Sequence, residues 1–449
     1  MECCSACFEK TLQFVSPAHG GWGVIRVAAL VPECYMLFVS PFACGRHGAL
    51  GGIINGVKNK VSYLFIDEKD IVSGDYEKQI IPAIEELFEF LPKMPKVLFL
   101  FVSCLDDMLG TDHEALNEKI SEKFPGLIIR TCHMNPIQSD TSLPPLVSLN
   151  RNIYSLLIEK PILWKNSANL SNFSTENETP KKLVKQINLI GNNVLPFKSC
   201  ELYTLLEKNA FSILHISQFS AFSDYRKLAK SCLNLCLSPL GLFACRDMEK
   251  DPKIPFINSF VCYNPAEIKN WYKVLEKKLN SILVEFCEKQ TICFDIQKYF
   301  ENAETALKET AAFIKNTPIA IDFQAVKRPC SLAKTLIEYG FNVKLLAFEK
   351  PLPVEKEDFE WLKNNAPHLE IANPLHSDSP KFEYYSYSDC LCIGFDCGYM
   401  TGSKHVMNLM EDEGNFGFDG VLNLTKQIKH AFINETNVEN LITEAGLVI

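Results

Sequence analysis

The sequence contains no long uninterrupted apolar run and no dense run of basic residues. Its most apolar stretch, residues 20–45, is interrupted by Arg26 and Glu33, and the next, residues 97–102, is far too short to cross a bilayer. Acidic residues outnumber basic ones by 54 to 45, which gives a formal net charge of −9. We therefore expect no membrane span, and we do not expect nucleic acid as a partner.

Signals for secretion and for nucleotide hydrolysis are also lacking. The first ten residues, MECCSACFEK, show no basic segment followed by an apolar one, so we expect a cytoplasmic protein. No Gly-x-x-x-x-Gly-Lys-[Ser/Thr] loop occurs, so this chain is not expected to hydrolyse ATP itself. Cysteine, in contrast, is abundant, with 18 residues. In a reducing compartment, cysteines are expected to bind metal or to be buried as free thiols.

Short apolar strands alternate with helical segments along the whole chain, and 449 residues are too many for one core. This alternation predicts an α/β protein with three doubly wound, Rossmann-like parallel-sheet domains around a central crevice. The stretch 164–182 is polar and rich in Asn and Ser, as is typical of a linker. We expect an N-terminal domain at 1–165, a linker at 166–182, a second domain at 183–315 and a third at 316–449, which ends in a helix.

Four segments of the first domain carry a recognisable pattern: 14–26 (FVSPAHGGWGVIR), 39–52 (VSPFACGRHGALGG), 64–75 (LFIDEKDIVSGD) and 98–112 (LFLFVSCLDDMLGTD). In order and spacing they resemble the first domain of the nitrogenase component 1 type oxidoreductases. That family includes the nitrogenase catalytic subunits, their cofactor scaffolds and the dark-operative tetrapyrrole reductases. The segments QINLIG at 186–191 and GFDGV at 417–421 extend the resemblance over nearly the whole chain.

The resemblance implies that Cys44 and Cys104 hold an iron–sulfur cluster, either a 4Fe–4S cluster or one like the nitrogenase P-cluster. Both cysteines follow apolar strands, on turns where a thiolate and nearby backbone N–H groups can approach a cluster. The family's first ligand cysteine is replaced by Ser16, whose hydroxyl is a poor ligand for iron. Three replacements stay open: an N-terminal cysteine (Cys3, Cys4 or Cys7), Cys34, or two cysteines from a second subunit.

Further candidates surround this proposed cluster or lie in the later domains. His19, Arg46 and His47 follow Gly- and Pro-rich turns, and we predict that they line a substrate or redox pocket where histidine delivers protons and arginine holds an anion. Cys236 and His405 lie near the positions where the family binds a second metallocofactor, although neither match is clean. The remaining pocket candidates are Cys245, Asp396 and Cys397. The HGALGG segment at 47–52 favours close helix–strand packing over nucleotide binding.

The function that the resemblance implies is that of a nitrogenase-like iron–sulfur oxidoreductase subunit. It would receive electrons from a separate, ATP-dependent P-loop iron–sulfur reductase and pass them to an unidentified substrate or cofactor. It would work as a homodimer, or as a heterodimer with a related subunit. Two alternatives stay open: a scaffold on which a metallocluster is assembled, and a non-catalytic subunit that pairs with an active relative.

Overall fold

The computed structural model describes residues 23–74, 76–134, 143–158 and 183–444. These residues form three β-sheets separated by helices, and every strand pair with a defined register is parallel. The α/β class predicted from the sequence is therefore confirmed. Among the helices of the described segments, none is both long enough and apolar enough to cross a membrane.

The first sheet has the strand order β2-β1-β3-β4. Its strands are β1 (Cys34–Ser40), β2 (Val61–Phe65), β3 (Val97–Ser103) and β4 (Ile128–Met134). Its helices are α1 (Gly23–Ala28), α2 (Phe42–Ile54), α3 (Glu68–Ser73), α4 (Tyr76–Phe90), α5 (Cys104–Leu109), α6 (His113–Lys123) and α7 (Pro145–Ser155). All seven residues of β1 and all seven of β3 are buried, which explains why both strands are almost uninterrupted apolar runs.

The acidic segment after β2 serves as a pair of helix caps. The Asp67 side chain accepts a hydrogen bond from the backbone N–H of Asp70, and the Asp70 side chain accepts one from the backbone N–H of Asp67, both at 3.0 Å. This reciprocal capping box starts α3, and Gly74 ends the helix in the left-handed conformation. The segment therefore has a local structural reason for its sequence.

The glycines of α2 allow this helix to lie close to its neighbours. A Cβ atom at Gly48 would lie 3.2 Å from the ring of Tyr63 on β2, and one at Gly51 would lie 3.0 Å from Ile25 on α1. Larger side chains at these positions would push the helix away from both elements. The HGALGG segment thus provides the close packing that the sequence predicts.

The second sheet has the order β6-β5-β7-β8. Its strands are β5 (Gln186–Ile190), β6 (Ser212–Leu214), β7 (Leu233–Cys236) and β8 (Phe256–Asn258). The helices in this part of the chain and after it are α8 (Glu201–Glu207), α9 (Phe222–Tyr225), α10 (Leu242–Lys250), α11 (Pro265–Glu285) and α12 (Gln297–Ile314).

The third sheet has the order β11-β10-β9-β12-β13, which is that of a Rossmann sheet without its last strand. Its strands are β9 (Pro318–Asp322), β10 (Asn342–Ala347), β11 (Glu370–Ala372), β12 (Leu391–Ile393) and β13 (Val406–Met407). Its helices are α13 (Pro329–Glu338), α14 (Lys356–Asn365), α15 (Phe395–Thr401), α16 (Gly417–Ile433) and α17 (Val438–Glu444).

The start of α16 is held by a buried carboxylate from a distant part of the chain. Glu201 Oε1 accepts hydrogen bonds from the backbone N–H of Phe418 and from the hydroxyl of Tyr272, both at 2.7 Å, and Oε2 accepts one from the N–H of Asp419 at 3.0 Å. The helix N-terminus presents unpaired N–H groups, so this carboxylate satisfies them where water cannot. The GFDG step at 417–420 therefore depends on Glu201.

The described residues fall into two compact units. One unit consists of the described residues between 23 and 193 and those between 213 and 258, and it contains the first sheet and most of the second. The other contains residues 194–212 and 259–444, with the third sheet and the helices α8, α11 and α12. One sheet thus falls in each predicted domain range, while the expected linker, 166–182, lies outside the described residues. The domain boundaries stay a prediction.

Candidate functional site

Cys44 and Cys104 lie at the carboxyl edge of the first sheet, where the direction of strand connection reverses. β1 and β3 are neighbours in the sheet, yet β1 connects first to β2 on its other side. At such a switch point the loops after the two central strands diverge and leave room for a ligand. Cys44 lies in the first turn of α2, which follows β1, and Cys104 is the first residue of α5, which follows β3. The fold therefore brings both cysteines to one place.

Cys104 lies close enough to Cys44 to affect the charge of its thiol, and both side chains remain partly accessible. Each side chain is half-buried. Burial raises the pKa of the Cys44 thiol, and the nearby charge of a Cys104 thiolate raises it further. A thiol whose ionisation is opposed by a neighbouring thiolate becomes a stable thiolate when a metal cation lies between the two. The pair therefore fits two ligands of a metal cluster.

A hydroxyl group beside Cys104 provides a second sign of fit. The Oγ atom of Ser103 is buried, and no protein atom of the described segments forms a hydrogen bond with it. Ser103 precedes α5 at the N-cap position, where serine usually bonds to the helix, but it forms no such bond here. A buried hydroxyl without a partner is costly, so we expect it to have one when the site is filled. A cluster sulfur or a Cys104 thiolate would accept this bond.

Exposed apolar side chains surround this edge of the sheet. One ends β2 and the others come from the helices that follow β1, β2 and β3; with their exposed fractions they are Phe42 (66%), Phe65 (45%), Val72 (88%), Met108 (78%) and Leu109 (42%). The rings of Phe42 and Phe65 contact each other, with centroids 5.0 Å apart. We call these five residues the apolar rim. A group of this kind around a site is typical of a surface that another protein covers.

Cys34 is not brought together with this pair. It begins β1, whereas Cys44 follows the other end of the same seven-residue strand. Its thiol is buried, lies 3.4 Å from the carbonyl oxygen of Ala28 and has its pKa raised to about 11 by burial. The surroundings of Cys34 are those of a structural thiol.

The other candidates of the first domain lie partly outside the described residues. Arg46 is exposed on α2, one turn or less from Cys44. His47 is the next residue of this helix, and its side chain is not among those described. Five positions named from the sequence belong to the N-terminal segment that the structure does not describe: Cys3, Cys4, Cys7, Ser16 and His19.

Cys236 on β7 and Cys245 on α10 lie close together. Cys236 ends β7 and its thiol donates to the carbonyl oxygen of Ser238 at 3.3 Å. The pKa of the Cys245 thiol on α10 is raised well above its usual value, first by a hydrogen bond with Cys236 and then by burial. Both side chains are fully buried and bond to groups of this chain. The family resemblance placed only Cys236 at a cofactor position, and the structure adds Cys245 as its contact.

His405 precedes β13 and is hydrogen-bonded to α16. Its Nδ1 lies 2.9 Å from the carbonyl oxygen of Ala431 on α16, so this nitrogen carries the proton and donates it. The backbone N–H of His405 donates to the hydroxyl of Ser403 at 3.1 Å. The ring orientation is therefore set by the protein, and Nε2 is left as the nitrogen that would accept a proton or a metal.

The sequence patterns did not indicate Asp322, which lies at the switch point of the third sheet. It ends β9, and its carboxylate accepts backbone hydrogen bonds from Gln324, Ala325 and Cys397 at 2.8–3.0 Å. Burial raises the pKa of Asp322 to about 7, with a further contribution from the nearby Asp396 carboxylate. The sequence signal for this residue is its position directly after the apolar segment TPIAI. The predicted pocket candidates Asp396 and Cys397 are its neighbours in the fold.

Asp322 makes the stability of the protein depend on pH. Its pKa is about 7 in the folded protein and about 3.9 in an unfolded chain, so between these values only the folded chain keeps the proton. This contribution is fully present below about pH 4 and is lost as pH rises towards 7, at a cost on the order of 4 kcal/mol. We expect Asp322→Asn to lose less stability than wild type over this interval, measured by urea unfolding at several pH values. An unchanged pH slope would contradict the assignment.

The three parallel sheets, with ligand-type side chains at their switch points, define an α/β protein of the multi-sheet Rossmann-like class. The family model for nitrogenase component 1 type oxidoreductases matches residues 20–433, and the chain belongs to this family. It is therefore a nitrogenase-like oxidoreductase subunit by family membership.

Solved structures agree with this assignment at the level of the fold. The structure of nitrogenase Cp1 at pH 6.5 matches with a TM-score of 0.65 and 15% sequence identity, over 92% of this chain and 91% of that one. The structure of nitrogenase Cp1 at pH 5 matches with a TM-score of 0.55 and 14% identity, over 93% of this chain and 88% of that one. No curated protein sequence shows a significant match.

Proposed function

We propose that the chain is a redox subunit that holds an iron–sulfur cluster through Cys44 and Cys104 and passes electrons from a separate ATP-dependent iron–sulfur reductase to a substrate or cofactor. The observation that carries the proposal is the pairing of these two half-buried, interacting thiols at the switch point of the first sheet. When bound, the cluster would supply one-electron transfer. Family membership supports the class of reaction, and the substrate is left open.

Two thiolates are half of the usual four-cysteine set of a 4Fe–4S cluster. We propose that a second subunit, identical or related, supplies the other two. The apolar rim supports this arrangement, because a partner seated on Phe42, Val72 and Met108 would cover apolar surface and exclude water from the cluster. The N-terminal cysteines, including Cys7, are the alternative source of ligands.

The side chains of this chain have separate tasks in the proposal. Ser103 donates its hydroxyl hydrogen to a sulfur beside Cys104 and thereby stabilises negative charge there. Arg46 holds an anionic group at the edge of the site, and His47 and His19 move protons between solvent and the reduced substrate. Cys236 and His405 bond within the chain, so the proposal does not depend on a second metal centre.

The test is electron delivery to the anaerobically purified protein. We expect brown protein with the EPR signal of an iron–sulfur cluster. The oxidation state of this cluster should change when a nitrogenase-type iron protein and MgATP are added together. The same mixture without MgATP is the control, because direct chemical reduction would not need the nucleotide. A cluster that forms but never exchanges electrons under these conditions would contradict the redox role and indicate an assembly scaffold. Colourless, iron-free protein would indicate a non-catalytic subunit.

A further inference from the structure

We propose that Asp106, His113 and His133 form a binding site for one divalent transition-metal ion of the zinc class, separate from the Cys44–Cys104 pair. One ligand atom from each of the three side chains lies within 4.8 Å of the others. The site uses only residues of the first sheet's unit, and it does not depend on the proposed electron-transfer function.

Three neighbouring elements bring these side chains together. His133 lies on β4 beside Val102 of β3, one residue before the end of that strand. Asp106 lies in α5, the helix that follows β3, and His113 is the first residue of α6. Parallel strands end at one edge of a sheet, so the helices that follow β3 lie over the end of β4.

A second pair of residues holds α6 in the register that the site needs. Asn117, one helical turn after His113, donates through Nδ2 to the Thr131 hydroxyl at 3.1 Å, and its side-chain Oδ1 lies 3.3 Å from the same hydroxyl. Thr131 is two residues before His133, so both point to the same face of β4. Two residues of α6 thus pair with two residues of β4: His113 contacts His133, and Asn117 contacts Thr131.

The orientation of the potential ligands is also set. Asp106 is 2% exposed, and its Oδ1 accepts a hydrogen bond at 2.7 Å from the hydroxyl of Tyr76, which directs Oδ2 towards Nε2 of His113. The rings of His113 and His133 are perpendicular, at 89°, with centroids 5.0 Å apart. Carboxylates that bind a metal are usually hydrogen-bonded by a further group, and Tyr76 provides this bond to Asp106.

The ligand types determine which ion fits. Two imidazoles and one carboxylate suit zinc, cobalt and ferrous iron, and they are too few in oxygen for calcium or magnesium. His133 is exposed, so the site opens to solvent on its side and leaves room for water or a small ligand as a fourth partner. The arrangement is that of an open, three-ligand site.

Cobalt(II) is the probe, because its visible spectrum distinguishes ligand types. We expect metal-free protein to bind one Co²⁺ per chain with ligand-field bands that persist in the Cys44→Ser, Cys104→Ser double variant and therefore contain no thiolate contribution. His133→Ala removes an exposed ligand without disturbing the core, and we expect it to weaken binding by at least about tenfold. Tyr76→Phe should weaken it by about tenfold through its effect on Asp106.

The exposed His368, far along the sequence on a loop of the other unit, provides the matched control. His368→Ala should bind Co²⁺ as wild type does. Folded protein that binds no Co²⁺, or binding that is equal in His133→Ala and His368→Ala, would overturn the proposal and leave Asp106 and His113 as a structural ion pair. Iron content tests the Cys44–Cys104 proposal, and Co²⁺ binding in the cysteine double variant tests the histidine site. Either proposal can therefore be refuted while the other stands.

Discussion

Replacing either Cys44 or Cys104 by serine should remove most of the iron and acid-labile sulfide from anaerobically purified protein. A serine hydroxyl ionises far less readily than a thiol and is a poor ligand for iron, so a cluster that loses one thiolate should be bound at least about tenfold more weakly. Each variant should fold, because both side chains are half-buried and neither belongs to the fully buried core. The measurements are iron and sulfide content, together with the EPR signal of the reduced protein.

Cys293→Ser is the matched control for this experiment. Cys293 is exposed and lies in the other compact unit, far along the chain from the first sheet. Its replacement should leave the iron content at the wild-type value. If Cys44→Ser and Cys104→Ser both retained full iron content, the cluster assignment would be refuted, even if the fold and the family were unchanged.

Gly394→Ala should unfold or severely destabilise the unit that contains the third sheet. Gly394 joins β12 to α15 with φ +108° and ψ 146°, a conformation that only glycine adopts readily. A Cβ atom there would overlap the carboxylate of Asp322. This carboxylate is buried and fixed by three backbone N–H groups, so it has nowhere to move. We expect a loss of more than about 4 kcal/mol in the free energy of unfolding.

Gly340→Ala separates backbone strain from steric overlap. Gly340 lies in the same unit, has φ +88° and has no atom within 4 Å of the position where a Cβ would lie. Its replacement should cost only about 1–2 kcal/mol, which is the strain of a left-handed conformation. Urea denaturation followed by circular dichroism measures both variants. Equal losses would mean that Asp322 yields to the added methyl group, contrary to the tight contact described above.

The parts of the fold that sequence predicts well are those with strong local signals. β1 and β3 are buried on both faces, so their sequences MLFVS and KVLFLFV are almost uninterrupted apolar runs that predict central parallel strands. Cys104 follows β3 directly, Cys44 lies in the first turn after β1, and adjacent parallel strands end at one edge. Their proximity was therefore predictable, since it required only that β1 and β3 be neighbours.

The sites that sequence did not reveal depend on contacts between distant residues. Asp106, His113 and His133 have no metal-binding spacing, because β4 contributes the third residue 20 positions after the second. Asp322 acquires its raised pKa only when α15 places Asp396 and the N–H of Cys397 against it. Such groups are ordinary polar residues in one dimension, and only the tertiary structure makes them neighbours.

Cys34 shows the opposite case, in which position in the sequence is misleading. It is only ten residues from Cys44 and looks like an available fourth ligand. A strand rises about 3.3 Å per residue, so the length of β1 separates the start of the strand from its end by about 20 Å. Cys34 and Cys44 are therefore close in the sequence but far apart in space, because an extended strand lies between them.

The hydrogen bonds of Glu201 restrict where this chain can be cut into fragments that fold by themselves. The carboxylate that starts α16 comes from residues 194–212, while its partners Tyr272, Phe418 and Asp419 come from beyond residue 258. A fragment that begins at residue 316 or at residue 259 would lack Glu201 and leave the first turn of α16 without this carboxylate. Expression of the C-terminal half by itself should therefore give insoluble material unless residues 194–212 are supplied, in cis through a redesigned connection or in trans as a peptide.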